Sequence, residues 1–159
     1  MLKVPLVKPK PDIEKFLRVI RGEVMPERPP LVELFLNHEI VREISRTYLG
    51  RNWVEPAADW ESQSVYLKNW TEVYYRMGYD YVRLSGGLNF PGRSRISHDN
   101  AALSDGTRSW AEEGKGPIST WQEFENYPWP DPGQADLREY EFAANNLPEG
   151  MGLPDTFAT

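Results

Sequence analysis

Ile13, Phe16, Leu17 and Ile20 recur at i, i+3, i+4 and i+7, the period of one helix face. Asp12 stands where its carboxylate can cap that helix and Gly22 where a left-handed residue can close it, so a helix is expected over the bottom of a core. Leu31 to Leu36 is a short apolar run with one charge, Glu33, and reads as a strand covered on both faces. Asn37 or His38 then caps a helix carrying Ile40, Val41, Ile44 and Tyr48, and Gly50 follows it. A third helix is predicted from Asp59 to Met77, with Val65, Tyr66, Trp70, Val73, Tyr74 and Met77 as a wide apolar and aromatic stripe that stops at Gly78. Such a stripe is ordinarily core. Tyr79 to Leu84 is the next strand candidate.

Ser85 to Pro117 departs from this rhythm. It is rich in Gly, Ser, Asn and Arg, and a loop of that length after a strand is uncommon unless it serves a site or lid. Within it, Asp105-Gly106 lies between Ala101-Ala102-Leu103 and Thr107-Arg108-Ser109-Trp110, which reads as a two-residue hairpin turn. Thr120 followed by Glu123 has capping-box spacing, with Trp121 and Phe124 on one face of the short helix so started. Tyr127-Pro128 ends it, since the residue before proline is pushed out of the α region, and Pro128, Pro130 and Pro132 keep the chain extended with Trp129 projecting. Asp136 to Asn146 is helical again. Helix and strand patterns alternate, the order expected of an α/β architecture with a parallel sheet.

Composition narrows the possible partners. A chain of 159 residues, 40% hydrophobic and 13% aromatic, suits about one domain with a core. A net charge of −6 argues against nucleic acid, which selects a basic patch or stripe. Lys3, Lys8 and Lys10, spaced by prolines, read as a solvated lead-in rather than a binding arm. Without cysteine there is neither a disulfide framework nor a thiolate nucleophile. No run has the length of a membrane span and the N-terminus has no apolar signal region, so a cytoplasmic protein is the expectation.

The segment Thr120 to Pro132, TWQEFENYPWPDP, resembles the uroporphyrinogen decarboxylase superfamily, which includes cobalamin-dependent methyltransferases. Four other places fit that family in order: Phe16 to Glu23 with Arg28-Pro29-Pro30, the run Leu31 to Leu36, Gly78 to Val82, and Leu147 to Met151. The resemblance implies an α/β fold, the N-terminal portion of a TIM (β/α)8 barrel: two to three strands with covering helices and a long loop or hairpin excursion over residues 85–117. A complete barrel takes roughly 250 residues. Residues 1–159 are therefore expected to form a single partial domain, either a fragment or a piece completed by a partner, a homodimer being one form of this.

In barrel enzymes the active site lies at the C-terminal ends of the strands. The resemblance thus points to Asn37, His38 and Glu39 after the first strand and to Arg83, Ser85, Gly86 and Gly87 after the second. His38 can serve as acid, base or ligand near neutral pH, although no zinc motif of the H-E-x-x-H kind surrounds it. Glu33 in an apolar strand needs a cation or a proton, and Arg83 at comparable depth is the candidate partner. Glu33, His38 and Arg83 are accordingly the catalytic candidates. Asn37, Ser85, Arg93, Arg95 and Arg108 are the substrate-binding candidates, because arginines grip carboxylates and phosphates in pairs of hydrogen bonds. The alternative for the arginines, which share their loop with His98, is pairing with Asp99, Asp105 or Glu112.

Two departures weigh against the tetrapyrrole decarboxylases themselves. Their arginine-rich segment after the first strand is replaced by Leu36-Asn37-His38-Glu39-Ile40, and their Phe-Ser-Asp by Leu84-Ser85-Gly86. The methyl-transfer or an uncharacterised branch is the better expectation, with an anionic small molecule or a corrinoid protein as partner. Zinc and a corrinoid belong to that branch with ligands outside these residues, and no metal ligand is assigned within them. Two other readings stay open: a decarboxylase-like enzyme on another anionic substrate, with Arg93, Arg95 or Arg108 as clamps, and a non-catalytic binding or assembly module using Trp110, Trp121 and Trp129.

Overall fold

A computed structural model describes residues 4–33, 36–84, 86–92, 94–99, 106–111, 114 and 116–154. The chain divides into two compact units, residues 1–85 with 137–156, and residues 86–136 with 157–159.

The first unit is built around four α-helices. Helix α1 runs Ile13–Ile20, with the Asp12 carboxylate accepting the Lys15 N–H and Gly22 beyond it at φ 74°. Helix α2 is short, His38–Glu43, and continues as a π-helical turn, Ile44–Tyr48, before Gly50 at φ 63°. Asn37 caps α2 through its carbonyl alone, which accepts the N–H groups of Ile40 and Val41; its side chain makes no cap hydrogen bond. Helix α3, Trp60–Met77, is capped by the Asp59 carboxylate and ends on left-handed Gly78. Helix α5, Arg138–Asn146, packs on α3.

The core lies between these helices and two extended segments. Leu67, Leu84 and Ala143 form one buried cluster, Tyr74, Val82 and Met151 another, and Trp70 and Leu153 touch both. The expected wide face of α3 is real at Val73 and Tyr74, but Gln63, Asn69 and Thr71 are buried too, so the helix is covered on more than one side. Asn69 meets this by donating to the Asn52 carbonyl.

Of the expected strands, 79–84 pairs over a single parallel bridge, Tyr81 with Gly152, supported by Val82 N–H to Gly152 O at 3.0 Å and Gly152 N–H to Asp80 O at 2.9 Å. This is an isolated parallel bridge, with α5 in the connection between its two residues. The strand expected over Leu31 to Leu36 is corrected for its described residues. Residues 31–33 and 36 join no ladder, Leu31 and Val32 are 41% and 54% exposed, and Leu34 and Phe35 lie outside the described residues. The Tyr81 hydroxyl takes the place of a ladder partner: it accepts the Glu33 N–H and donates to the Glu33 carbonyl, both at 3.0 Å.

Helix α1 docks on the other side of this pairing. Phe16 meets the Tyr81 ring at 5.3 Å, and the Ile13 N–H donates to Gly150 O. No α1 residue is fully buried, so the helix lies over the bottom of the core as an amphipathic cover.

The second unit holds an antiparallel hairpin, β1 Ser94–His98 and β2 Thr107–Ala111, and helix α4, Trp121–Asn126. The expected hairpin is corrected in register: β2 pairs with 94–98, not 101–103, and residues 99–106 connect the strands. Ile96 and the long side chains of β1 offer a better pleated surface than Ala-Ala-Leu, and Gly106 at φ 102° ends a longer connection instead of forming a two-residue turn. Asp105 itself lies outside the described residues. The capping box of α4 forms as expected, with Thr120 Oγ1 accepting the Glu123 N–H and Glu123 accepting the Thr120 N–H. Pro132 corrects the proline run, since it opens a 3₁₀ turn, Pro132–Gln134, capped by Asp131. Trp129 does not simply project: its ring lies 5.0 Å from Phe124 and its N–H donates to the Phe124 carbonyl.

Candidate functional site

The carboxyl ends of segments 31–36 and 79–84 lead into a cluster of polar and aromatic groups in the first unit. At its centre His38 Nε2 lies 2.6 Å from Glu55 Oε2, and Arg42 approaches the other carboxylate oxygen at 3.4 Å. An ionised carboxylate only accepts, so Nε2 carries the proton; among the described residues Nδ1 has no hydrogen-bond partner. The imidazole stacks on Tyr66 at 5.8 Å and 22°, and Trp53 stands edge-on to both rings. His38 is thereby held in orientation by a carboxylate and two aromatic walls while its side chain stays 31% exposed.

Electrostatics at this cluster follow from its packing. Burial works to raise the Glu55 pKa, but the hydrogen bond and charge of His38, then Trp53 and Arg42, outweigh it and hold the carboxyl below its usual range. The Trp53 indole N–H, which is buried and has no hydrogen-bond partner of standard geometry among the described residues, lies near enough to contribute. Tyr66 is pushed up to about 12 by burial and by the charges of Glu139 and Glu55. Gln63 steadies the far side, donating to Glu139 at 2.8 Å and accepting the Ala57 N–H at 3.0 Å. From Tyr66 the rings continue through Trp70 to Tyr74 at 5.7 and 5.9 Å, and the Trp70 N–H donates to the Arg83 carbonyl.

Glu33 and Arg83 approach a common neighbour. The Tyr74 phenol is raised chiefly by burial, further by Glu33, and is lowered in part by Arg83, so both charges act on one buried ring. Asn37 sits beside His38 as the backbone cap of α2. Ser85 and Arg93 lie outside the described residues. Arg95 and Arg108 belong to the second unit. Arg108 is paired with Asp99 at 3.0 Å and lies over the Trp110 ring, and Arg95 stands opposite Trp110 across the hairpin. Arg108 is thus engaged in the way the alternative reading expected.

Glu55, Trp53 and Tyr66 are the functional candidates that sequence reasoning missed. Glu55 lies 17 residues from His38 in an irregular segment with no periodicity or motif, and only tertiary folding brings it near. Among the described residues, no group of three or more His, Cys, Asp or Glu is arranged to hold a metal ion. No helix among the described residues is long and apolar enough to cross a membrane. Compared with known proteins, the chain matches no family model, no curated protein and no solved structure.

Proposed function

We propose that residues 4–84 and 137–154 belong to a uroporphyrinogen decarboxylase-like (β/α)8 barrel, of the methyl-transfer or an uncharacterised branch, and that His38 is its acid–base group. The observation that carries this is the His38–Glu55 pair just after the segment 31–36, which in a barrel would be the strand end where such enzymes keep their chemistry. The parallel relation of Tyr81 to Gly152, with α3 and α5 packed together, supports the barrel reading. In the neutral ring Nδ1 is free to take a proton from an acceptor such as a thiol, and Glu55 stabilises the imidazolium that results. When protonated, the same Nδ1–H donates to an anionic substrate. A corrinoid, carried by a partner protein, would supply the methyl group.

The test is methyl transfer from methylcobalamin to a thiol acceptor, followed by the loss of methylcobalamin absorbance, with the polypeptide expressed from its complete gene. Carbon dioxide release from uroporphyrinogen is measured beside it. Methyl transfer that falls about 10²-fold in His38→Asn supports the reading, since positioned acid–base groups contribute on that order. Carbon dioxide release instead would move the protein to the decarboxylase branch. Absence of both activities would overturn the enzyme reading.

A second reading has its own observation. Trp121 is 79% exposed and packs on Phe124, Phe124 on Trp129 and Trp129 on Tyr127, through ring contacts of 4.7–5.5 Å. Aromatic patches of this kind mark interaction surfaces, here for assembly or self-association. Light scattering of the parent and of Trp121→Ser decides it: a larger species in the parent alone supports assembly, and two identical monomers rule out self-association.

A further inference from the structure

Far from His38, where the same two extended segments begin, the first unit carries a groove of about 570 Å³. Its walls are two proline-bearing stretches, Lys8–Pro11 and Pro26–Pro30, with α1 and residues 78–80 between them. Prolines fix φ and remove chain entropy, so the walls are set before any ligand arrives. Leu6, Phe16 and Leu31 provide an apolar floor.

Four cations line the groove, Lys8 and Lys10 on one wall, Lys15 on α1 and Arg28 on the opposite wall. All four are exposed, and none forms an ion pair among the described residues. Arg42, Arg51, Arg76 and Arg108, by contrast, each have a carboxylate within 4 Å. Two of the three carboxylates in the groove are occupied by backbone: Asp12 accepts the Lys15 N–H at 2.9 Å, and Asp80 accepts the Asp12 N–H at 2.8 Å. Glu27 is the third. Against these three carboxylates the four cations leave one positive charge in excess, and an oxyanion seated among the cations accepts charge-assisted hydrogen bonds from them. The volume falls in the range of small-molecule sites.

We propose that this groove binds a small molecule bearing two or more phosphate or carboxylate groups, held by Lys8, Lys10, Lys15 and Arg28 with its body against Phe16. The site is independent of the His38 reading, because none of its residues belongs to the His38 cluster. It gives the fold a place for an anionic effector or substrate extension that the composition, acidic overall, does not advertise.

The experiment is calorimetric titration of the 159-residue chain with inorganic pyrophosphate and, separately, with citrate, at low and high salt. Binding that weakens about tenfold or more in Lys15→Ala and in Arg28→Ala, the loss expected for one charge-assisted hydrogen bond, supports the site. Lys68→Ala, outside the groove and over the Phe142 ring, retains the parent affinity. Tighter pyrophosphate assigns phosphate chemistry, and tighter citrate assigns carboxylate chemistry. Amide shifts in the unaltered chain provide a second readout, with perturbations expected at Lys15, Gly78 and Tyr79. Absence of binding to both anions at millimolar concentration, unchanged affinity in the Lys15→Ala/Arg28→Ala double variant, or shifts confined to other surfaces would overturn the proposal.

Discussion

His38 owes its pose to groups that differ in kind: the Glu55 carboxylate at 2.6 Å fixes the proton on one nitrogen, and Tyr66 and Trp53 fix the plane of the ring. Removing the imidazole leaves burial to act on Glu55 with less opposition. In His38→Asn the Glu55 pKa is expected to rise toward the ordinary value, as read from its carboxylate carbon shift against pH. The sign for stability follows from the lowered folded pKa: the contribution of Glu55 is present above the ordinary Glu pKa of about 4.3 and is lost as pH falls below it. The acid limb of unfolding should therefore become shallower in the variant, and an unchanged limb would mean that the pair does not form in solution. Tyr66 works in the opposite pH range. Its folded pKa, about 12, lies above the unfolded value near 10, so its contribution is intact below 10 and disappears as pH rises toward 12. Tyr66→Phe should flatten that alkaline loss in denaturation midpoints measured across the window.

At the scale of elements, the helices were legible because their ends are chemical and local. Asp12, Asp59 and Thr120 cap where the spacing said they would, and Gly22, Gly50 and Gly78 follow their helices with positive φ. Asp59→Ala should cost about 1 kcal/mol in chemical denaturation, the ordinary worth of a side-chain cap. Leu67, 1% exposed where α3 meets Ala143 and Leu84, should cost about 2–5 kcal/mol as Leu67→Ala through lost burial and the cavity left behind. Docking of α1 is a different matter, because it depends on an absent side chain. Gly150 has φ 83°, and a Cβ there would run into the Pro11 carbonyl, a backbone atom that cannot swing aside. Gly150→Ala should therefore destabilise the chain by more than the roughly 1 kcal/mol that a left-handed residue costs alone. A smaller loss would show that α1 and residues 148–152 are not held together in solution.

The whole molecule divides its burial unevenly. Among the described residues, every buried one lies in the first unit and none in residues 86–136. Amide exchange should thus be slowest at Val73, Tyr74 and Val82 and fastest through β1 and β2, since an isolated two-stranded hairpin is marginally stable in water. Protection of 94–111 equal to that of α3 would contradict this. By itself the sequence determined the helices, their caps, the acidic balance, the absence of thiol chemistry and the presence of a long excursion after residue 84, because these depend on composition or on residues within one or two turns of each other. Tertiary structure alone decided that the Tyr81 hydroxyl, rather than a neighbouring strand, meets the Glu33 backbone, that 94–98 is the partner of 107–111, that Glu55 meets His38, and that four cations line one groove. Each of these joins residues with no periodic relation along the chain, and the free energy that selects the partner comes from packing and solvent exclusion, which no local pattern encodes.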